Sequence, residues 1–189
     1  MPNGGMMDIL IDYAYRESDL AALPIEELAL FALEREGMPA NTEVSVAFVD
    51  NAEIASLNSE FRGHEGPTDV LSFECDMDEE DEAFPEGEVF ELGDVIIAPD
   101  VAEAQTAIFS TTFEQEISLL LVHGLLHLCG YDHIEDEDAV EMQARERDIL
   151  GAWFALRGLG DDLSQNPVDY EPVVLSARIT AMSALPGVH

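Results

Sequence analysis

Three histidines within eleven residues, in the run HGLLHLCGYDH from His123 to His133, constrain this 189-residue chain more than any other feature. His123 and His127 are four residues apart. On a helix they share one face, one turn apart, with both imidazoles in reach of one ion. Gly130 follows three residues after His127, breaks the helix and lets the chain turn back. His133 then supplies a third nitrogen from the loop. Three neutral imidazoles with an open fourth position describe a catalytic zinc site, one Zn2+ per chain, whereas a structural site would more often hold four ligands including thiolates.

The same ligand spacing occurs in metzincin proteases, where the residue after the first histidine is the glutamate base. Here it is Gly124, which has no proton acceptor on its side chain. That protease mechanism therefore loses its base. Cys129 is two residues beyond His127, about 200° around the helix, and is expected in the core rather than on the metal.

Charge is the second constraint. The chain has 41 Asp and Glu against 7 basic residues, all Arg, for a formal net charge of −34. Such a surface repels phosphate backbones and anionic membranes. It excludes a general nucleic-acid coat protein, and leaves room for an enzyme that handles RNA at one local basic spot. Hydrophobic residues, at 47%, suffice for a core. Cys75 and Cys129 are too few for a disulfide framework. No apolar run is long enough to span a membrane, and Met1 to Tyr15 carries no Lys or Arg and no long apolar stretch, unlike a secretory signal. The expected compartment is the cytoplasm, with no membrane partner. MPNGG reads as a leader ahead of a start at Met6 or Met7.

Hydrophobic periodicity predicts strands at 8–13, 42–49, 70–74 and 92–97. It predicts helices at 24–36, 52–61, 99–109 and 112–129, and a last one capped by Asp136 and running to Leu156. Asp50 or Asn51 caps the second helix, and Arg62-Gly63 ends it. Residues 74–91 hold ten acidic residues and no basic one, and read as a solvated loop. The order predicts an α/β (or α+β) single domain, residues 1–157, with a mixed sheet of about four strands packed with helices. Residues 158–189, with three Pro and no clear period, read as a partly disordered tail.

The run HGLLHLCGYDH resembles the signature of the YbeY family of bacterial zinc-dependent endoribonucleases. So do LNSEFRGHEGPTDVLSFE and LGDVIIAPD upstream, in the same order, within a stretch of about residues 8 to 156. The resemblance implies a single-strand-specific, zinc-dependent endoribonuclease. Its role would be 3′-end maturation of small-subunit ribosomal RNA and ribosome quality control. It implies His123, His127 and His133 as zinc ligands and Arg62 as the other functional residue of the cleft. Asp94 would bind a ribosomal partner, and the implied partners are a small-subunit ribosomal protein and the GTPase Era. The family often has a basic residue where His64 stands, and Pro after the Phe of the LSF run, where Glu74 and Cys75 stand here.

Read from the residues alone, Arg62 is a helix-end arginine favoured by the helix dipole, and the resemblance is what makes it a functional candidate. His64 is a solvated loop histidine or a substrate contact. No general base stands out; Asp132 is a partner for the His133 ring or a turn former. The attacking group is either water or the RNA 2′-OH. Two rival functions fit the same ligands: a zinc hydrolase of peptides or small molecules, and a non-catalytic ribosome-assembly factor with a structural zinc.

Overall fold

The computed structural model describes residues 6–75, 88–131 and 135–158. The centre of the acidic segment (76–87), His133 with its two neighbours, and the tail from residue 159 lie outside the described residues. The chain forms two compact units, Met1–Cys129 and Gly130–His189.

The first unit runs β1 (Asp8–Asp12), α1 (Glu17–Leu20), α2 (Ile25–Arg35), β2 (Thr42–Phe48), α3 (Asn51–Arg62), β3 (Val70–Glu74), β4 (Phe90–Ile97), α4 (Pro99–Phe109) and α5 (Phe113–Leu128). The expected α/β class and mixed four-stranded sheet are both present. Strand order is β1-β2-β4-β3, with β1, β2 and β4 parallel and β3 antiparallel to β4 at one edge. Local chemistry explains the boundaries. In β2 the alternate residues Thr42, Val44, Val46 and Phe48 are all buried, as period-two patterning requires. The Asp50 carboxylate accepts from the Glu53 N–H at 2.9 Å and caps α3. Thr112 and Gln115 form a reciprocal capping box at the start of α5.

Three elements differ from the sequence reading, the first two because tertiary contacts override local pattern. Strand β4 begins at Phe90 rather than Leu92, inside the acidic segment, because Phe90 and Glu91 pair with Thr42 and Glu43 of β2. Leu92 is then skipped as a bulge before Gly93 pairs with Val44. The short helix α1 was not expected. It follows Arg16, held at φ 57°, whose guanidinium donates to Asp19 (2.9 Å), Asp100 (3.1 Å) and Glu103 (2.9 Å). The second unit's helix, α6 (Asp136–Leu156), has Glu135 rather than Asp136 at its N-cap, without a side-chain capping bond. Its buried residues Met142, Glu146, Ile149, Leu150, Trp153 and Phe154 form a helical stripe.

Helices cover both faces of the sheet. Ile54 and Leu57 of α3 pack with Leu71, Phe73 and Ile96 on one face. The alternate residues Ser72 and Val95, partners in register, face α5 on the other. Helix α5 also packs on α2 and α4. Its approach is close at Gly124, where a Cβ would lie 2.6 Å from Val95 Cγ1 and 3.2 Å from Ser72 Oγ. Any side chain at this position therefore has to force the helix off the sheet.

That contact predicts a contrast between two helical glycines. Gly124→Ala should destabilise the protein by about 1–3 kcal/mol, the usual cost of overpacking. Gly151→Ala in α6 meets nothing within 4 Å and should stabilise it by about 0.5–1 kcal/mol through helix propensity. Urea denaturation of both variants reads the difference. Equal effects would contradict the close seat of α5.

Candidate functional site

The seat at Gly124 sets the position of the histidine pair. His123 is 5% exposed and His127 is half-buried. Their rings stand near-perpendicular at 83° with centroids 4.6 Å apart, and the two Nε2 atoms face each other at 3.0 Å. Two nitrogens so placed share one proton, or both turn lone pairs toward one cation. The separation is compatible with both roles, since two zinc–imidazole bonds of about 2.0–2.1 Å span up to about 4 Å. Among the described residues no group of three or more His, Cys, Asp or Glu is set to hold a metal ion. The third histidine of the sequence pattern, His133, lies outside the described residues.

Cys129, at the C-cap of α5, is half-buried. Burial, with the negative charge of Glu36, pushes its thiol up to about 12. It is therefore a neutral thiol at physiological pH.

Arg62 ends α3, and Gly63 closes that helix at φ 68°. The guanidinium Nη2 donates to the Ser72 carbonyl at 2.6 Å, and Cζ stands 5.8 Å from the centroid of the Phe73 ring. Among the described residues no carboxylate pairs with Arg62. This matters in a chain of net charge −34. Phe61 meets the same Phe73 ring edge-on, at 5.3 Å and 67°.

Two residues that the sequence reading did not single out hold this region together. Asn58, buried on α3, donates from Nδ2 to the Gly66 carbonyl at 3.0 Å. Its own carbonyl accepts the His64 N–H at 3.3 Å, so it shapes the loop after Arg62. The sequence sign was an amide on an otherwise apolar helical stripe. Ser72 accepts from Arg62 through its carbonyl, and its hydroxyl donates to the Gly124 carbonyl at 3.1 Å. Ser72 thus joins the arginine to the residue after His123. Its sign was a hydroxyl in the apolar strand VLSFE.

The remaining candidates are more loosely placed. His64 is exposed on the loop. Asp94 is exposed on β4, in register with Phe73, and so shares the α3 face of the sheet rather than the α5 face. In the second unit an open groove of about 670 Å³ is lined by Tyr131, Glu141, Ala144, Arg145, Arg147 and Asp148. Its two guanidiniums are balanced by two carboxylates, and Arg145 pairs with Asp148 at 3.2 Å, so it offers no net charge to an anion. Among the described residues no helix is long and apolar enough to cross a membrane.

Comparison with known proteins adds to this geometry. Residues 13–153 match the sequence model of the family described as Endoribonuclease YbeY. A curated relative of that name from Bacillus velezensis is 39% identical over 156 residues, covering 80% of this chain and 99% of its own. The Endoribonuclease YbeY of Macrococcus caseolyticus is 42% identical over 153 residues, covering 80% of this chain and 96% of its own. The solution structure of TM1509 from Thermotoga maritima superposes with a TM-score of 0.56 at 28% identity, covering 85% of this chain and 99% of that one. With a family match across most of its length and relatives that it covers almost end to end, the chain belongs to the YbeY endoribonuclease family.

Proposed function

We propose that the chain is a single-strand-specific endoribonuclease that holds one Zn2+ on His123, His127 and His133 and uses Arg62 at the scissile phosphate. The observation that carries the reading is the convergence of the His123 and His127 Nε2 atoms at 3.0 Å, with a third histidine six residues further along the sequence. The chemistry such an ion supplies is Lewis acidity toward a water or a phosphoryl oxygen. As the phosphodiester bond breaks, negative charge builds on the non-bridging oxygens. Arg62 presents a planar, permanently charged set of donors to them, and its bond to Ser72 fixes the plane in advance. His64, on the loop that Asn58 orders, is a further substrate contact.

Family membership supports a cytoplasmic role in 3′-end maturation of small-subunit ribosomal RNA and in ribosome quality control. A small-subunit ribosomal protein and the GTPase Era are the proposed partners, with Asp94 at the contact. A peptide hydrolase of the metzincin kind is disfavoured, since the Cβ of a glutamate base at position 124 would overlap Val95.

Three outcomes are expected. Protein purified without chelator should carry about one zinc by elemental analysis, and His123→Ala or His127→Ala should lose most of it; full occupancy in both variants would sink the ligand assignment. Zinc affinity should fall steadily between pH 7 and pH 5, because imidazoles must shed their protons to bind; a flat profile would contradict imidazole ligation. Arg62→Ala should keep fold and zinc but cleave a ribosomal RNA fragment about 10²–10³-fold more slowly in single turnover. Arg62→Lys should recover part of that rate, since a point charge replaces a two-pronged donor. Parental rates in Arg62→Ala would reduce the arginine to a helix-end charge.

A further inference from the structure

Phe61 is 59% exposed, and it is the aromatic member of the exposed large apolar side chains among the described residues. A single surface apolar residue needs no explanation, but this one is not isolated. It is held edge-on against Phe73 at 5.3 Å, and Phe73 is anchored in the cluster of Ile54, Leu71 and Val49. The next residue is Arg62, whose guanidinium lies over the same Phe73 ring and is bonded to the Ser72 carbonyl. The result is an exposed π-surface on a rigid base, beside a guanidinium that no described carboxylate cancels.

Charge decides what such a surface suits. Glu60 and Glu65 flank it in sequence, and the chain as a whole carries −34. Binding RNA by tracking phosphates is therefore unfavourable beyond the one or two cations at hand. A nucleobase has a polarisable face and no charge, and aromatic stacking is the sequence-tolerant way in which proteins take up unpaired strands. Base-paired nucleotides keep both faces occupied within the duplex. A stacking surface next to the phosphate-binding arginine thus also selects single strands over duplex.

We propose that Phe61, braced by Phe73, stacks an unpaired nucleobase adjacent to the phosphate on Arg62. This rests on the endoribonuclease reading and names the feature of the substrate that the acidic chain recognises.

The test is a short single-stranded RNA with 2-aminopurine at its centre, mixed with the full chain in a stopped-flow instrument and read before turnover. Stacking quenches the fluorophore. The parent and Phe61→Tyr should quench it. Phe61→Ala and Phe61→Leu should not, and should bind about tenfold more weakly, within the range that one stacked base contributes. Circular dichroism checks that each variant folds. Leucine keeps apolar area without a π-face, so parental binding and quenching in Phe61→Leu would overturn the proposal and mark the patch as an apolar contact for another protein. Parental behaviour in Phe61→Ala would overturn it outright. Cleavage of the same RNA by the parent is scored separately. Quenching without cleavage would sink the endoribonuclease reading while upholding the stacking surface, and cleavage with unchanged Phe61 variants would do the reverse.

Discussion

Everything at this site depends on how closely α5 lies on the sheet. A helix normally stands off a strand by the length of a side chain. At Gly124 there is none, and Val95 and Ser72 fill the space a Cβ would take. The Ser72 hydroxyl then reaches the Gly124 carbonyl at 3.1 Å. Helix position, rotation and strand register are tied at one point, immediately after His123. The histidine pair thus rests on packing and hydrogen bonding within the first unit, in keeping with the rule that reactive groups need rigid support.

The edge strand β3 connects the two groups of candidate residues. Its residues alternate between the faces, so Ser72 looks toward α5 while Phe73 looks toward α3. The arginine and aromatic pair come from the α3 layer and the histidines from the α5 layer. The carbonyl and hydroxyl of one residue, Ser72, touch both. Charge distribution follows a similar economy. Arg16 pairs with three carboxylates, whereas Arg62 bonds to a neutral carbonyl.

Much of this was legible in the sequence because the relevant forces are local. The helix carrying His123 and His127 is framed by a capping box and a glycine, and strand β3 and helix α4 appear over the residues that their patterns mark. The strand at Phe90–Glu91 was not legible, since its acidic neighbours outweigh any local strand preference and only pairing with β2 recruits it. Helix α1 was hidden for a related reason: four residues are too few for periodicity, and ion pairs to α4 hold Arg16 in place. At the site, residue types announced the histidines. Ser72 and Asn58 act through bonds to backbone carbonyls, and those partners are invisible until the chain has folded. Gly124 was legible as the absence of a base, but its role as a seat for the helix required the sheet beneath it.

Strand β3 ends the sheet, and an open edge is where a β-protein is exposed to pairing with another copy of itself. Arg62 occupies a carbonyl on that edge and brings a charge with it, which is how natural sheets deter such pairing. The arginine thus guards that edge against self-association, apart from the role proposed for it toward substrate. Exchange for a neutral side chain would bare that carbonyl beside the exposed ring of Phe61, and so draw the solubility of the chain into the fate of one position.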